Sequence, residues 1–303
     1  MASEWMGEPI AQIEGPDDAA HQLAERDRLR EQTEPLNPPR EFAVLRMWTE
    51  LAHVTYIGTV LLLLASYGVT SDETTHMVHP HIFALLAPLI ASSNLLDGAR
   101  ERFRVRTRKI LATTWVALII GASVFVVATI GIFTDVTVPW WIAVATTIAM
   151  VALILPMSLR QVARSVPVEA KEQPAAPLDS ASRVTMLCIA ASIGLMLTPI
   201  GFPTDSRASA VLYAFAVACF LAASIATLVN SRTRFSPSRL GYAWGRWQWT
   251  ALGVCGAVCV TVVLFDAYTS LVDPLLGISA GALTTALLGV AAFLPATARA
   301  AEE

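Results

Sequence analysis

The sequence predicts an all-α membrane protein with eight transmembrane helices, arranged as two tandem four-helix repeats in the same orientation. Hydrophobic residues make up 55% of the 303 residues and charged residues only 15%, whereas soluble domains carry about 25% charged residues. Eight apolar runs approach the length of about 20 residues that a helix needs to cross a bilayer. The two halves of the chain also resemble each other, which indicates an internal repeat.

The eight apolar runs follow a polar N-terminal segment and are separated by polar loops. In lipid, a single segment can satisfy its own backbone hydrogen bonds only as a helix, so each run predicts one helix. The second run is the weakest, because Pro88 interrupts it and Ser92, Ser93 and Asn94 make its end polar. The runs cover residues 51–70, 80–97, 110–133, 138–159, 183–202, 208–230, 248–268 and 273–296.

Basic residues alternate between successive loops, and this alternation predicts the orientation. Cytoplasmic loops of membrane proteins carry an excess of Lys and Arg. Loops 98–109, 160–183 and 231–247 are rich in basic residues, whereas loop 71–80 has neither Lys nor Arg. We therefore expect a multi-pass protein of the cell (inner) membrane, with the N-terminus and the C-terminus in the cytoplasm. The residues expected to anchor the cytoplasmic side are Arg100, Arg102, Arg104, Arg232 and Arg234.

The internal similarity follows a nearly constant shift along the chain. "ASSNLLDGARERFR" (91–104) resembles "ASIATLVNSRTRFS" (223–236) at a shift of 132 residues, and "GVTSD" (68–72) resembles "GFPTD" (201–205) at a shift of 133. An even number of helices in each repeat gives both halves the same orientation, as in transporters built from parallel repeats.

These patterns together predict five segments of different character. The N-terminal tail is acidic and poor in apolar residues, which favours a cytosolic and partly disordered segment. The segments are the tail (1–45), the first four-helix repeat (46–160), a cytosolic linker (161–182), the second four-helix repeat (183–298) and the cytosolic C-terminus (299–303).

Small residues recur every four positions in two of the runs. Helices in lipid associate mainly where small residues let their backbones approach closely. We therefore predict helix-packing stripes in the sixth and the eighth run, with either another helix of the chain or a second copy as the partner. The stripes consist of Ala210, Ala214, Ala218 and Ala222, and of Gly277, Gly281 and Gly289.

Three of the five histidines lie in the stretch "HMVHPH" (76–81). Imidazole nitrogens are ligands for Zn, Cu and haem iron, so His76, His79 and His81 form a candidate metal site. The alternative is a solvated outer loop, because no cysteine lies near the cluster and the second half has no histidine at the corresponding positions. His53 lies at the opposite end of the first run and cannot share a metal with this cluster. The sequence requires no cofactor.

The motif content of the sequence favours some classes of function over others. The sequence contains no phosphate-binding loop, dinucleotide fingerprint or hydrolase motif, which favours a non-enzymatic protein while leaving enzyme activity open. The expected surrounding is the lipid bilayer. A second copy of the chain and a membrane complex are the candidate protein partners, and no nucleic acid is expected. The favoured interpretation is a permease or transporter-like protein for a small neutral or amphiphilic solute. The alternatives are a non-catalytic membrane subunit or scaffold that recruits a partner, and a metal- or haem-binding membrane protein.

The predicted topology can be tested with reporter fusions. A fusion at residue 75 should report a position outside the cytoplasm. Fusions at residues 104, 170 and 235 should report a cytoplasmic position, because basic loops stay in the cytoplasm. An inner position at residue 75 would contradict eight spans, since the second run would then not cross the membrane.

Overall fold

The computed structural model is helical, apart from one short antiparallel strand pair in the residues that it describes. These residues are 38–70, 81–103, 105, 112–134, 138–165, 175–202, 207–229, 235–269 and 272–297. Residues 1–37 of the N-terminal tail, two of the clustered histidines and residues 166–174 of the linker therefore lie outside the described residues. The strand pair consists of β1 (Ala175–Ala176) and β2 (Ala296–Thr297).

A helix occupies each of the eight predicted runs, and a further short helix precedes the seventh. The first four are α1 (Arg40–Thr70), α2 (His81–Arg102), α3 (Ala112–Thr134) and α4 (Trp140–Arg164). The others are α5 (Ser180–Leu197), α6 (Arg207–Val229), the short α7 (Pro237–Ala243), α8 (Arg246–Tyr268) and α9 (Pro274–Ala291).

Among the described residues, six helices are long and apolar enough to cross a membrane by their length and composition. These six are α1, α2, α4, α5, α8 and α9. In α3 and α6 the apolar stretches found in the described part of the chain are shorter, at Trp115–Ile130 and Ala210–Ala222. The weakest predicted run, broken by Pro88, forms one continuous helix over 22 residues.

Large apolar side chains cover the outside of the bundle. Trp115, Val127 and Ile130 of α3 are each more than half exposed, and α4, α6 and α9 carry similar residues. Water-soluble proteins rarely expose apolar patches larger than a few hundred Å². Together with the six long apolar helices, this surface indicates a membrane protein.

Helix α1 begins eleven residues before the first predicted apolar run. Pro38 and Pro39 directly precede Arg40, and proline is tolerated at the start of a helix because the backbone N–H that it lacks would have no partner within the helix there. Phe42 is buried and its ring lies 5.7 Å from that of Phe103 at the end of α2. Hydropathy missed this first part of α1 because its charged residues interrupt the apolar pattern.

Three helix pairs of the first half recur in the second half, whereas the contact of α1 with α3 has no counterpart of comparable extent between α5 and α8. In the first half α1 packs against α2 and α4, and α3 packs against α4. In the second half α5 packs against α6 and α9, and α8 packs against α9. The contacts between the halves lack this symmetry: α2 packs against α5, α7 and α8, and α1 against α8.

A glycine and a threonine mark the closest approach in each half. A methyl group on Gly58 of α1 would collide with the Thr147 side chain of α4, and one on Gly194 of α5 would collide with Thr285 of α9. Both threonine hydroxyls donate to a carbonyl one turn earlier in their own helices, at 2.8 and 2.9 Å. The hydroxyls are thereby satisfied within lipid, and the helices approach closely.

Helix α7 packs against the C-terminal half of α2, backbone against backbone. A methyl group on Gly98 would collide with the carbonyl of Ser238, and one on Gly241 would collide with the carbonyl of Leu95. Neither backbone carbonyl can move as a flexible side chain would. These two glycines therefore fix the position of α7 on α2.

A buried glutamine joins the start of α8 to the end of α9. Gln248 is fully buried, and its Nε2 donates to the carbonyls of Ala291 and Leu294, each at 3.1 Å. Its Oε1 accepts from the backbone N–H of Gly245 at 3.0 Å. The side chain thus satisfies backbone groups that both helix ends leave unpaired.

The contact between α2 and α7 can be tested with one methyl group. We expect Gly98→Ala to destabilise the protein by about 1–3 kcal/mol, because two backbones would have to separate. Gly253→Ala is the matched control, since nothing lies within 4 Å of a methyl group there. Melting temperatures of the purified proteins in detergent should fall for Gly98→Ala only. Equal melting temperatures would contradict the packing described here.

Candidate functional site

An apolar groove lies in the first half, between α2 and α3. Both helices pack against α1, and α1 forms the floor between them. The groove has a volume of about 240 Å³. Its lining includes Tyr56, Ile57 and Val60 of α1, Leu85 and Leu89 of α2, Leu118 and Phe125 of α3, and Met150 of α4.

The groove offers a carbon surface and opens towards the side of the bundle. Leu118 and Phe125 on its α3 wall are 42% and 44% exposed, on a helix whose other large side chains face outward. The phenol oxygen of Tyr56 lies against Gly256 of α8, where a methyl group would collide with it. The groove is therefore lined by aliphatic and aromatic atoms and is accessible from the lipid.

Polar side chains lie at one end of this groove. His53, one turn before Ile57 in α1, places its Nε2 2.9 Å from the Ser92 hydroxyl and 3.4 Å from that of Ser93. The Ser92 hydroxyl donates to the carbonyl of Leu89 at 2.9 Å, so it accepts from His53. We therefore assign a proton to Nε2 of His53.

Glu50 connects α1 to α4 at the same end of the groove. Its carboxylate accepts from the Nε of Arg46 at 2.7 Å and from the hydroxyl of Ser158 at 2.5 Å. Ser158 is buried, whereas the side chains of Arg46 and Glu50 are about one-quarter exposed. Both bonds involve a charged group, which makes them stronger than bonds between neutral groups.

The polar end and the groove belong to one continuous surface. Arg46, Glu50, His53, Ile57 and Val60 follow one another at intervals of three or four residues, which places them on one face of α1. Along this face, charged residues give way first to an imidazole and then to aliphatic side chains. Such a surface is complementary to an amphiphile, which has a polar head and an apolar tail.

Sequence analysis located His53 at one end of the first run, but it connected neither Glu50 nor His53 to a site. Their partners Ser158 and Ser92 are 108 and 39 residues away in sequence. The available signal was their spacing, three residues apart on a helix that carries no charged residue after Glu50. Only the packing of α2 and α4 on α1 brings the two serines to them.

The predicted metal residues are only partly described. His81 is buried at the start of α2, and its Nε2 contacts the carboxylate of Asp266 on α8. His76 and His79 lie outside the described residues. Within the described residues, no group of three or more His, Cys, Asp or Glu side chains could hold a metal ion. A carboxylate commonly orients a metal-binding histidine, and Asp266 is in this position beside His81. Because the other two histidines are not described, the metal site stays a prediction.

The two predicted stripes of small residues differ in their surroundings. In α9, Gly277 and Gly281 are buried against the carbonyls of Ile200 and Gly194, so their backbones lie close to α5 and its C-terminal end. Gly289 is half-buried. The stripe of α6 faces outward, since its four alanines are all exposed: Ala210, Ala214, Ala218 and Ala222.

Two of the predicted basic anchors make defined contacts. Arg100 donates to Asp97 at 2.9 Å. Arg102 donates to the carbonyl of Trp244 at 2.8 Å, and its guanidinium lies 4.9 Å from the ring of Phe103. The hydrogen bond holds the end of α2 beside the junction of α7 and α8, and the cation–π contact orients the guanidinium. Arg104, Arg232 and Arg234 lie outside the described residues.

Comparison of the chain with protein-family models, curated proteins and solved structures finds no match. A shared fold would not by itself define an activity, since one fold can serve many functions. The groove and its polar end combine a largely apolar concavity with a few convergent polar groups, which is typical of small-molecule sites.

The bond between Glu50 and Ser158 provides a stability test of this site. We expect Ser158→Ala to destabilise the protein by about 1.5–3 kcal/mol, because a charged group loses a hydrogen-bond donor. Ser192→Ala is the matched control, because the Ser192 hydroxyl bonds to a carbonyl of its own helix at an exposed position. Melting temperatures in detergent measure both variants. A larger loss for Ser192→Ala would contradict the assigned contact.

Proposed function

We propose that this protein binds an amphiphilic lipid in the groove between α2 and α3, as a permease or transporter-like protein for amphiphilic solutes. The observation that carries the proposal is the continuous face of α1, on which the polar residues 46–53 lead into the apolar groove. The apolar tail lies in the groove, and the head group lies beside His53 and Glu50. The solute reaches the groove sideways from the bilayer.

The head group supplies the selectivity in this arrangement. A lipid tail is already surrounded by hydrocarbon, so moving it into the groove gains little from the hydrophobic effect. Shape and dispersion retain the tail, whereas hydrogen bonds at the polar end distinguish one amphiphile from another. Polar interactions are worth more in lipid, because water competes less for them.

The binding site belongs to the first half of the proposed duplication. The paired helices and the contacts of Gly58 and Gly194 with threonines support two related four-helix units. The match of Gly58 with Gly194 has a shift of 136 residues, three or four residues more than the sequence matches have. At this shift Arg46, Glu50 and His53 correspond to Ser182, Met186 and Ile189. We propose that the first half binds the solute and the second half supports it.

The eight-span topology with cytoplasmic termini is part of the same proposal. It places the polar end of the groove near the cytoplasmic surface, at the N-terminal end of α1. The alternative of a non-catalytic scaffold requires no lipid in the groove, and the experiment below separates the two functions.

Labelling with a photoactivatable lipid tests the groove directly. The protein is reconstituted in vesicles containing a phospholipid with a diazirine on its acyl chain and is then irradiated. We expect labelled peptides from α1, α2 and α3, and a severalfold loss of label in Ala122→Phe, because Ala122 lines the groove. The matched control is Ala145→Phe, an exposed position of α4 that is outside the groove lining.

Two outcomes would contradict the proposed function. Label spread evenly over the exposed faces of α4 and α6, and unchanged by Ala122→Phe, would show that no lipid is held in the groove. Wild-type vesicles that move a fluorescent lipid between leaflets no faster than protein-free vesicles would contradict the transport activity.

A further inference from the structure

We infer that the amphiphile carries a phosphate head group, bound by the guanidinium of Arg46 at the end of the groove. This inference rests on the proposed function and names the chemical class of its substrate. It follows from four features of the polar end, which are the available donors of Arg46, the partners of Glu50, the charges around them and the neutral polar groups beside the groove.

Arg46 has donors to offer. Its Nε bonds to Glu50 at 2.7 Å, and within the described part of the chain its two Nη nitrogens make no hydrogen bond. The side chain is 26% exposed, so a ligand can reach it. Two parallel N–H groups of a planar guanidinium match two phosphate oxygens, which gives arginine its preference for phosphate.

Glu50 orients the guanidinium rather than competing with the phosphate. Its carboxylate accepts hydrogen bonds from Arg46 and from Ser158. Because Glu50 lies one helical turn nearer to the groove than Arg46, the bond directs the guanidinium towards the groove. From the level of Glu50 to that of Ile57 the helix rises about 10 Å, at about 1.5 Å per residue. That length accommodates an ester-linked glycerol backbone between a phosphate and its acyl chain.

The surrounding charges favour an anion. Arg160 and Arg164 follow Ser158 on the last turns of α4, and both are exposed. Arg100 and Arg102 end α2, where the acidic neighbours are Asp97, which already bonds to Arg100, and Glu101. Glu41 lies in the first turn of α1 beside Arg40. Clustered arginines at a membrane surface attract anionic head groups.

Between the guanidinium and the groove lies a neutral polar wall. His53 and Ser93 form it, with Nε2 and the hydroxyl 3.4 Å apart. The Nε2 of His53 donates to Ser92, and the Ser93 hydroxyl donates to the carbonyl of Leu89 at 3.0 Å. This wall is therefore polar and uncharged, and it presents acceptors to a ligand. The order of guanidinium, polar wall and carbon groove therefore follows the order of groups in a glycerophospholipid.

Native mass spectrometry of the purified full-length protein can measure this selectivity. Phosphatidic acid and diacylglycerol with identical acyl chains are added in turn, and inorganic phosphate is added alone as a third probe. We expect phosphatidic acid to bind about tenfold more tightly than diacylglycerol, as a bidentate charged contact would provide. Inorganic phosphate should bind undetectably, because it has no chain for the groove.

Variants assign the selectivity to one residue. In Arg46→Gln, the affinity for phosphatidic acid should fall to the affinity for diacylglycerol. Arg46→Lys should retain part of the difference in affinity, because the side chain keeps its positive charge. Arg207→Gln, an exposed arginine at the start of α6, is the matched control and should bind as the wild type does. The melting temperature of each variant establishes that it is folded, and Arg46→Lys provides the comparison if Arg46→Gln does not fold.

The outcomes separate this inference from the proposed function. Equal binding of phosphatidic acid and diacylglycerol, or selectivity that survives Arg46→Gln, would overturn the phosphate assignment while leaving a lipid in the groove. Tight binding of inorganic phosphate alone would overturn the lipid as the source of the phosphate. Failure of both lipids to bind the wild type would overturn the proposed function itself.

Discussion

Inside a bilayer, two helices gain little from burying apolar surface against each other, because lipid is as apolar as their side chains. Close backbone approach must therefore supply the packing energy, and glycine supplies it here. Gly58 against Thr147 and Gly194 against Thr285 hold one helix pair in each half. Gly98 does the same for α2 against α7. The positions of the remaining helices depend on these contacts.

The groove is a consequence of where these close contacts lie. Gly58 directs one face of α1 against α4, and Ile57 and Val60 on the neighbouring face are left between α2 and α3. A helix that is held tightly on one side can leave a cavity on another without losing its position. The rigid contact between α1 and α4 therefore supports the concave surface beside it.

The polar end of the groove follows a different rule from its walls. Buried polar groups in a membrane protein must be paired, and the costs of leaving one unpaired are high. Glu50 and His53 meet this requirement through their hydrogen bonds with Ser158 and Ser92. The Nη donors of Arg46 are the groups left for a ligand.

Many of the helices could be predicted from the sequence, because long apolar runs have only one solution in lipid. The exceptions have local causes. The charged residues in the first turns of α1 lower the hydropathy there, so this part of the helix lies outside the apolar run. Helix α7 is too short to show a hydrophobic periodicity. The sequence also placed His53 at the end of the first predicted span.

The sequence by itself determined the helical class and the positions of the apolar helices, since hydropathy and length depend only on neighbouring residues. The tertiary structure decided which helix faces meet. It placed Gly277 against α5 and the stripe of Ala210 on the outside, although both show the same four-residue spacing. It also joined residues of α1 to serines of α2 and α4. Such contacts depend on the shapes of distant segments, and the spacing within one helix carries no record of them.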